Sequence, residues 1–186
     1  MILDSPGDGG KMRRAFIAME VPRSAVPADI LEEVRKVRVL RPVRTHSFHL
    51  TLHFLGDIET GALNSIAGKL SGVKFPDFTA SVSGIGAFPE PSRAKVLFVK
   101  VKENSHLEKL HRQILESLSI AEDREFIPHV TIARATKWVD LRELCKRYES
   151  FSEIFKVNSY FLFLSTLTNQ GPIYEKFSEF PSVKEM

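Results

Sequence analysis

His49-Leu50-Thr51-Leu52 and His129-Val130-Thr131-Ile132 are the two stretches on which the reading of this chain turns. Each sets a histidine and a threonine two residues apart and interleaves them with aliphatic side chains. In a β-strand, residues i and i+2 share a face while their neighbours point the other way. Each stretch therefore buries two aliphatics and presents one imidazole and one hydroxyl on the opposite face. Two such strands side by side put two imidazoles and two hydroxyls around one cleft, a layout suited to acid–base chemistry on a phosphate ester. With 6 histidines in 186 residues, one His-x-Thr triplet would carry little weight. Two of them, with all four interleaved positions aliphatic, are well above chance.

Around these motifs the hydrophobic pattern repeats. The first half reads as a strand at 15–21 and a helix over 25–37 with Val26, Ile30, Val34 and Val37 on one stripe. A strand at 48–55 follows, ended by Gly56-Asp57, then a helix over 60–70 and a strand at 78–88. Pro89, Pro91 and Ser92 form a loop. The second half keeps the same order. It has a strand at 96–101 and a helix over 105–118 with Ser105 and Glu108 at capping-box spacing. The His129 strand is next, then a helix opened by Asp140 and Glu143 and running to Tyr148. A long strand at 155–165, a turn at Asn169-Gln170-Gly171-Pro172 and a strand at 173–180 complete it. The pattern predicts an α+β fold of duplicated β-α-β-α-β units, with pseudo-repeats at about 14–89 and 95–180. The two His-x-Thr strands become pseudo-symmetric partners across a junction, where ligand clefts are common.

Composition bounds the rest. The chain is 43% hydrophobic and 26% charged, with a net charge of +3, a mild basic excess consistent with a polyanionic substrate. One cysteine, Cys145, excludes an intrachain disulfide and a cysteine zinc site, and its neighbours Leu141, Leu144 and Tyr148 predict a core position. No apolar run reaches the ~20 residues of a membrane span. Residues 1–11 read as a flexible extension without the apolar core of a secretory signal, Met12 as the natural start of the folded part, and the protein as cytoplasmic.

Hydrolysis of a cyclic phosphate takes a proton from water and gives one to the departing ribose oxygen. Imidazole suits both tasks, because its ordinary pKa of ~6.5 populates both forms near neutrality. Thr51 and Thr131 can donate hydrogen bonds to phosphate oxygens as charge develops there, and no metal is needed. His49 and His53 mimic the i, i+4 pair of a zinc helix. On a strand they lie ~13 Å apart, too far for one ion. His53 shares the strand face of His49 and is expected on the rim; His46, His106 and His111 read as surface histidines.

At these residues the chain resembles the 2H phosphoesterase superfamily, and within it the bacterial and archaeal RNA 2′,3′-cyclic phosphodiesterases, also called 2′-5′ RNA ligases. The resemblance runs from Met12 to about Phe180. Besides the paired motifs it includes Arg14-Ala15-Phe16-Ile17-Ala18, Gly84-Ile85-Gly86-Ala87-Phe88-Pro89, Ala133-Arg134, Ser165-Thr166-Leu167 and Gly171-Pro172-Ile173-Tyr174. It implies a bilobal fold with antiparallel sheets lining a central cleft and helices outside. It implies metal-free, cofactor-free hydrolysis of RNA 2′,3′-cyclic phosphate ends to 2′-phosphates by a monomer. In that family pattern His49 is the proton donor and His129 the proton acceptor. Thr51, Thr131 and Arg134 hold the phosphate, and the same site can join a 2′,3′-cyclic phosphate to a 5′-hydroxyl in a 2′-5′ linkage. His53 stands where the family has a lysine-like position. Arg134 is five residues from His129, so ideal alternation points it away from the cleft; it reaches the site only if the strand bends, bulges or ends. Two other readings fit the same residues: a 2H enzyme acting on a small cyclic or 2′-5′ nucleotide, and a non-catalytic RNA-binding module.

Overall fold

Met12–Glu20 forms strand β1, with Ala15, Ile17 and Met19 turned into the main core and Phe16 and Ala18 onto the other face. The computed structural model describes residues 10–121, 125–169 and 171–183. Of the expected flexible extension over residues 1–11, residues 1–9 lie outside the described residues. Lys11 is already tied in, its carbonyl accepting bonds from the Thr60 amide at 3.0 Å and hydroxyl at 2.8 Å.

After a short 3-10 turn, helix α1 spans Ala28–Lys36, three residues later than its apolar stripe suggested. Pro27 stands at its N-cap, where a missing N–H costs nothing. Val26, Ile30 and Val34 are buried as expected. A short strand, β2 (Leu40–Pro42), was not foreseen. Strand β3 (His49–Glu59) does not stop at Gly56. Gly56, at φ +77°, instead carries an irregularity in the pairing with β1, a conformation that L side chains rarely adopt. Then come α2 (Leu63–Leu70), β4 (Phe78–Glu90), β5 (Arg93–Val101) and α3 (Ser105–Leu118). The cap of α3 is Asn104, not Ser105: its side chain accepts from the amides of His106 at 3.0 Å and Leu107 at 3.2 Å. Strand β6 (His129–Val139) leads to α4 (Arg142–Arg147), with the Asp140 carboxylate accepting from the Arg142 amide at 3.0 Å.

The strand expected over 155–165 is two strands, β7 (Ser152–Val157) and β8 (Ser159–Thr168), followed by β9 (Gly171–Pro181). All these strands join one sheet in the order β7-β4-β5-β6-β3-β1-β8-β9, with β2 on β6, and every strand pair is antiparallel. Only Asn158 separates β7 from β8, yet six strand spacings lie between them in the order, roughly 29 Å in a flat sheet. The sheet must therefore curl to bring these strands together at that end.

The duplication is visible across the β3–β6 seam, which is joined by the single pair Leu50↔Val130. Strand β1 flanks β3 as β5 flanks β6. The third strands are exchanged: β4, from the first half, pairs with β5, and β8, from the second, pairs with β1. Each half of the sheet is thus built from both pseudo-repeats. Helices α1, α2 and α3 bury Ile30, Leu63, Leu70, Leu107, Leu110 and Ile114 in the main core. The opposite face carries a small aromatic cluster of Phe16, Phe161 and Phe163 with Ala18 and lines the cleft.

Candidate active site

The β3–β6 seam fixes the site. Leu50 and Val130 face each other and are fully buried. Extending that antiparallel register by one residue sets His49 against Thr131 and Thr51 against His129, all on the face away from the helices. The two histidines then become diagonal neighbours, a relation that on a strand pair spans ~7–8 Å. The structure thus brings together the four residues that the paired motifs single out.

The two imidazoles are held alike. His49 Nδ1 lies 2.7 Å from the carbonyl oxygen of Ser47, and His129 Nδ1 lies 2.7 Å from that of Ile127. A carbonyl can only accept, so Nδ1 carries the hydrogen in both rings. Nε2 is left as the working nitrogen: a lone pair when the ring is neutral, an N–H donor when it is charged. Aromatic rings fix the orientations. Phe16 and Tyr174 flank His49 at centroid distances of 5.2 and 5.0 Å. Phe88 and Phe98 flank His129 at 5.0 and 5.2 Å. Phe98 can lie there because Gly86 sits beneath it: a Cβ at Gly86 would come within 2.7 Å of the ring.

Arg134 joins this face through a bulge. Leu97 pairs with Ala133 and Phe98 with Thr131, so β6 holds one extra residue, Ile132. Ile132 and Ala133 are both buried in the core, and Arg134 emerges exposed on the side of Thr131. Its guanidinium charge reaches His49, His129 and the Tyr174 hydroxyl. Burial is the main cause holding both histidine pKa values below the ordinary imidazole range, countered in part by the Ser47 and Ile127 carbonyls and reinforced by Arg134.

The same device in β3 moves His53 away. Ile17 pairs with His53 and Ala18 with Thr51, making Leu52 the extra residue. His53 therefore sits opposite Ile17 on the core face, not on the rim beside His49. The position equivalent to Arg134 is Phe54, which is 65% exposed and packs 6.0 Å from Phe16. His111, expected at the surface, is buried and stacks on Phe126 at 4.0 Å. His106 is exposed and stacks on Phe78. His46 is exposed and lines a depression of about 130 Å³ with His49, Tyr174 and Arg44. Cys145 is half-buried against the core, as expected, and burial raises its thiol pKa.

The aromatic supports were missed as site residues by sequence reasoning. Tyr174 reaches His49 from β9 across two intervening strands, and nothing in the period-two pattern around it reports which strand it will face. Among the described residues, no three His, Cys, Asp or Glu side chains are grouped so as to hold a metal ion, and no helix is long and apolar enough to cross a membrane.

The chain has known relatives in sequence and in fold. Residues 21–164 match the family model described as the 2′-5′ RNA ligase superfamily. A protein of Archaeoglobus fulgidus named RNA 2′,3′-cyclic phosphodiesterase is 34% identical over 170 residues, covering 87% of this chain and 96% of its own. One of the same name from Aquifex aeolicus is 33% identical over 185 residues, covering 91% and 97%. The crystal structure of the Thermus thermophilus protein TT0787 superposes with a TM-score of 0.76 at 26% identity, covering 93% of this chain and all of that one.

Proposed function

This chain belongs to the 2′-5′ RNA ligase superfamily, and we propose that its site hydrolyses RNA 2′,3′-cyclic phosphate ends with His49 and His129 as the acid–base pair. RNA 2′,3′-cyclic phosphodiesterase is the activity named for its relatives, and the chain is an enzyme of that class. The observation that supports the mechanism is the matched pair of imidazoles. Each is locked by Nδ1 to a carbonyl two residues upstream, and each leaves Nε2 to a ligand beside a threonine.

In this reading the neutral His129 Nε2 takes a proton from water as the water oxygen bonds to phosphorus. The bond from phosphorus to O3′ breaks, and the protonated His49 Nε2 hands its proton to that oxygen. The product is a 2′-phosphate. Each proton transfer is typically worth ~10²–10⁴-fold in rate. Thr51, Thr131 and Arg134 hold the non-bridging oxygens as charge grows on them. No step requires a metal or an organic cofactor. The direction of the roles follows the family pattern, since the pseudo-symmetric motifs are chemically alike. With a 5′-hydroxyl in place of water, the same attack on the cyclic phosphate forms a 2′-5′ linkage, and its reverse cleaves one.

The deciding experiment digests nucleoside 2′,3′-cyclic phosphates in the presence of a chelator and resolves the products by phosphorus NMR. The 2′-phosphate is expected. Mainly 3′-phosphate would reverse the two histidine roles, and inert cyclic nucleotides alongside cleaved 2′-5′ oligonucleotides would give the site a different substrate.

A further inference from the structure

The cleft-facing surface of β5 and β6 continues past the site. Ala94 pairs with Val139, and both turn toward the main core. Their neighbours Arg93, Lys95 and Trp138 therefore stand on the opposite face, the one that carries Thr131 and Arg134. Trp138 is 50% exposed. Arg93 Cζ lies 4.4 Å from the centre of its ring and Lys95 Nζ 5.0 Å, so two cations frame an accessible indole. Along β6, Trp138 lies four residues beyond Arg134, up to ~13 Å further from the catalytic pair.

Charge is left uncompensated on this surface. Across the cleft, Lys176 is paired with Glu20 at 2.8 Å. Among the described residues, Arg93, Lys95 and Arg134 form no ion pair. Glu90 pairs with Arg93 in the β4–β5 register without closing one. Unneutralised cations around an exposed aromatic ring are what a single strand of nucleic acid selects: phosphates take the charges and bases stack on the ring.

We propose that Arg93, Lys95 and Trp138 form a docking platform for the RNA strand upstream of the cyclic end, with Trp138 stacking a base a few nucleotides from the scissile phosphate. The inference rests on the phosphodiesterase reading and adds a second binding element that a mononucleotide is too short to reach. The platform makes the enzyme prefer oligonucleotides over nucleoside cyclic phosphates.

Trp138 is the only tryptophan of the chain, so its fluorescence reports the platform directly. A hexaribonucleotide ending in a 2′-phosphate is expected to quench it, and a nucleoside 2′-phosphate is not. Trp138→Ala should raise KM for a hexamer with a 2′,3′-cyclic end about tenfold or more, while kcat/KM for a nucleoside 2′,3′-cyclic phosphate stays within about twofold. Trp138→Phe should restore most of the hexamer effect. Arg93→Ala should flatten the log–log salt dependence of hexamer binding by about 0.7. Equal kinetics of the Trp138→Ala variant and the native enzyme on the hexamer, or no quenching by it, would overturn the platform and leave the activity standing. If neither cyclic substrate is hydrolysed, the activity reading fails instead, and quenching still decides the platform.

Discussion

Gly86 offers the sharpest test of how the site is held. It pairs with Phe98 across β4 and β5, and an added Cβ would lie 2.7 Å from Phe98 Cζ and 2.9 Å from Cε2. Carbon atoms in contact prefer ~3.5–4.0 Å, so the Gly86→Ala change requires the ring to retreat by about 1 Å. Phe98 has little freedom to do so, being 7% exposed and stacked on Phe88 at 4.2 Å. Overpacking of this kind costs ~1–3 kcal/mol. Because Phe98 and Phe88 flank His129, the displacement should also reach the imidazole, where ~1 Å of misplacement is worth ~10² in rate. Urea denaturation should read the stability loss, and kcat on a nucleoside 2′,3′-cyclic phosphate the misalignment. In the Phe98→Leu background the clash disappears, so Gly86→Ala should cost less there, with a coupling of ~0.5–3 kcal/mol. Equal costs in both backgrounds would refute the steric argument. A destabilised Gly86→Ala enzyme with unchanged kcat would refute the claim that the ring positions His129.

Other outcomes follow from the same geometry. His49→Ala and His129→Ala should each lose ~10²–10⁴ in kcat with unchanged circular dichroism; full activity in either variant, or native activity abolished by chelator and restored by zinc, would break the acid–base assignment. With both histidine pKa values lowered in the free enzyme, kcat/KM should be bell-shaped with its optimum on the acid side of ~6.5. A bound phosphate offsets the Arg134 charge, so the kcat profile should lie at higher pH than that of kcat/KM; coincident profiles would argue against that electrostatic coupling. Arg134→Gln should raise both imidazole pKa values in an NMR titration, and an unmoved pair would show that the guanidinium does not face them. The sign of the shifts also sets a stability trend. Folded pKa values below the unfolded ~6.5 mean that the unfolded chain binds more protons, so this contribution is complete above ~6.5 and lost as pH falls through the folded values. The His49→Gln/His129→Gln double variant should therefore lose less Tm than the native protein on acidification from about pH 7.5 to 5.5, and a larger loss would contradict the sign.

The sequence by itself determined the local chemistry. Period-two alternation around His49 and His129 put each imidazole and its threonine on one strand face, and the matched halves paired the two motifs. Those properties depend on neighbours in the chain, because side-chain direction along a strand is a local consequence of backbone geometry. What depended on pairing was decided only in three dimensions. Ile132 and Leu52 look like ordinary strand residues, yet each is the extra residue of a bulge. One bulge carries Arg134 into the cleft and the other takes His53 out of it. Asn158 breaks an apolar run that reads as continuous, because its two halves hydrogen-bond to different partners, β4 and β1. The exchange of β4 and β8 between the halves, and the arrival of Tyr174 beside His49 from β9, are likewise relations between distant segments. A strand's pattern states which of its side chains want burial; it carries no label for the strand that will supply the hydrogen bonds, and that choice falls to the packing of the whole sheet.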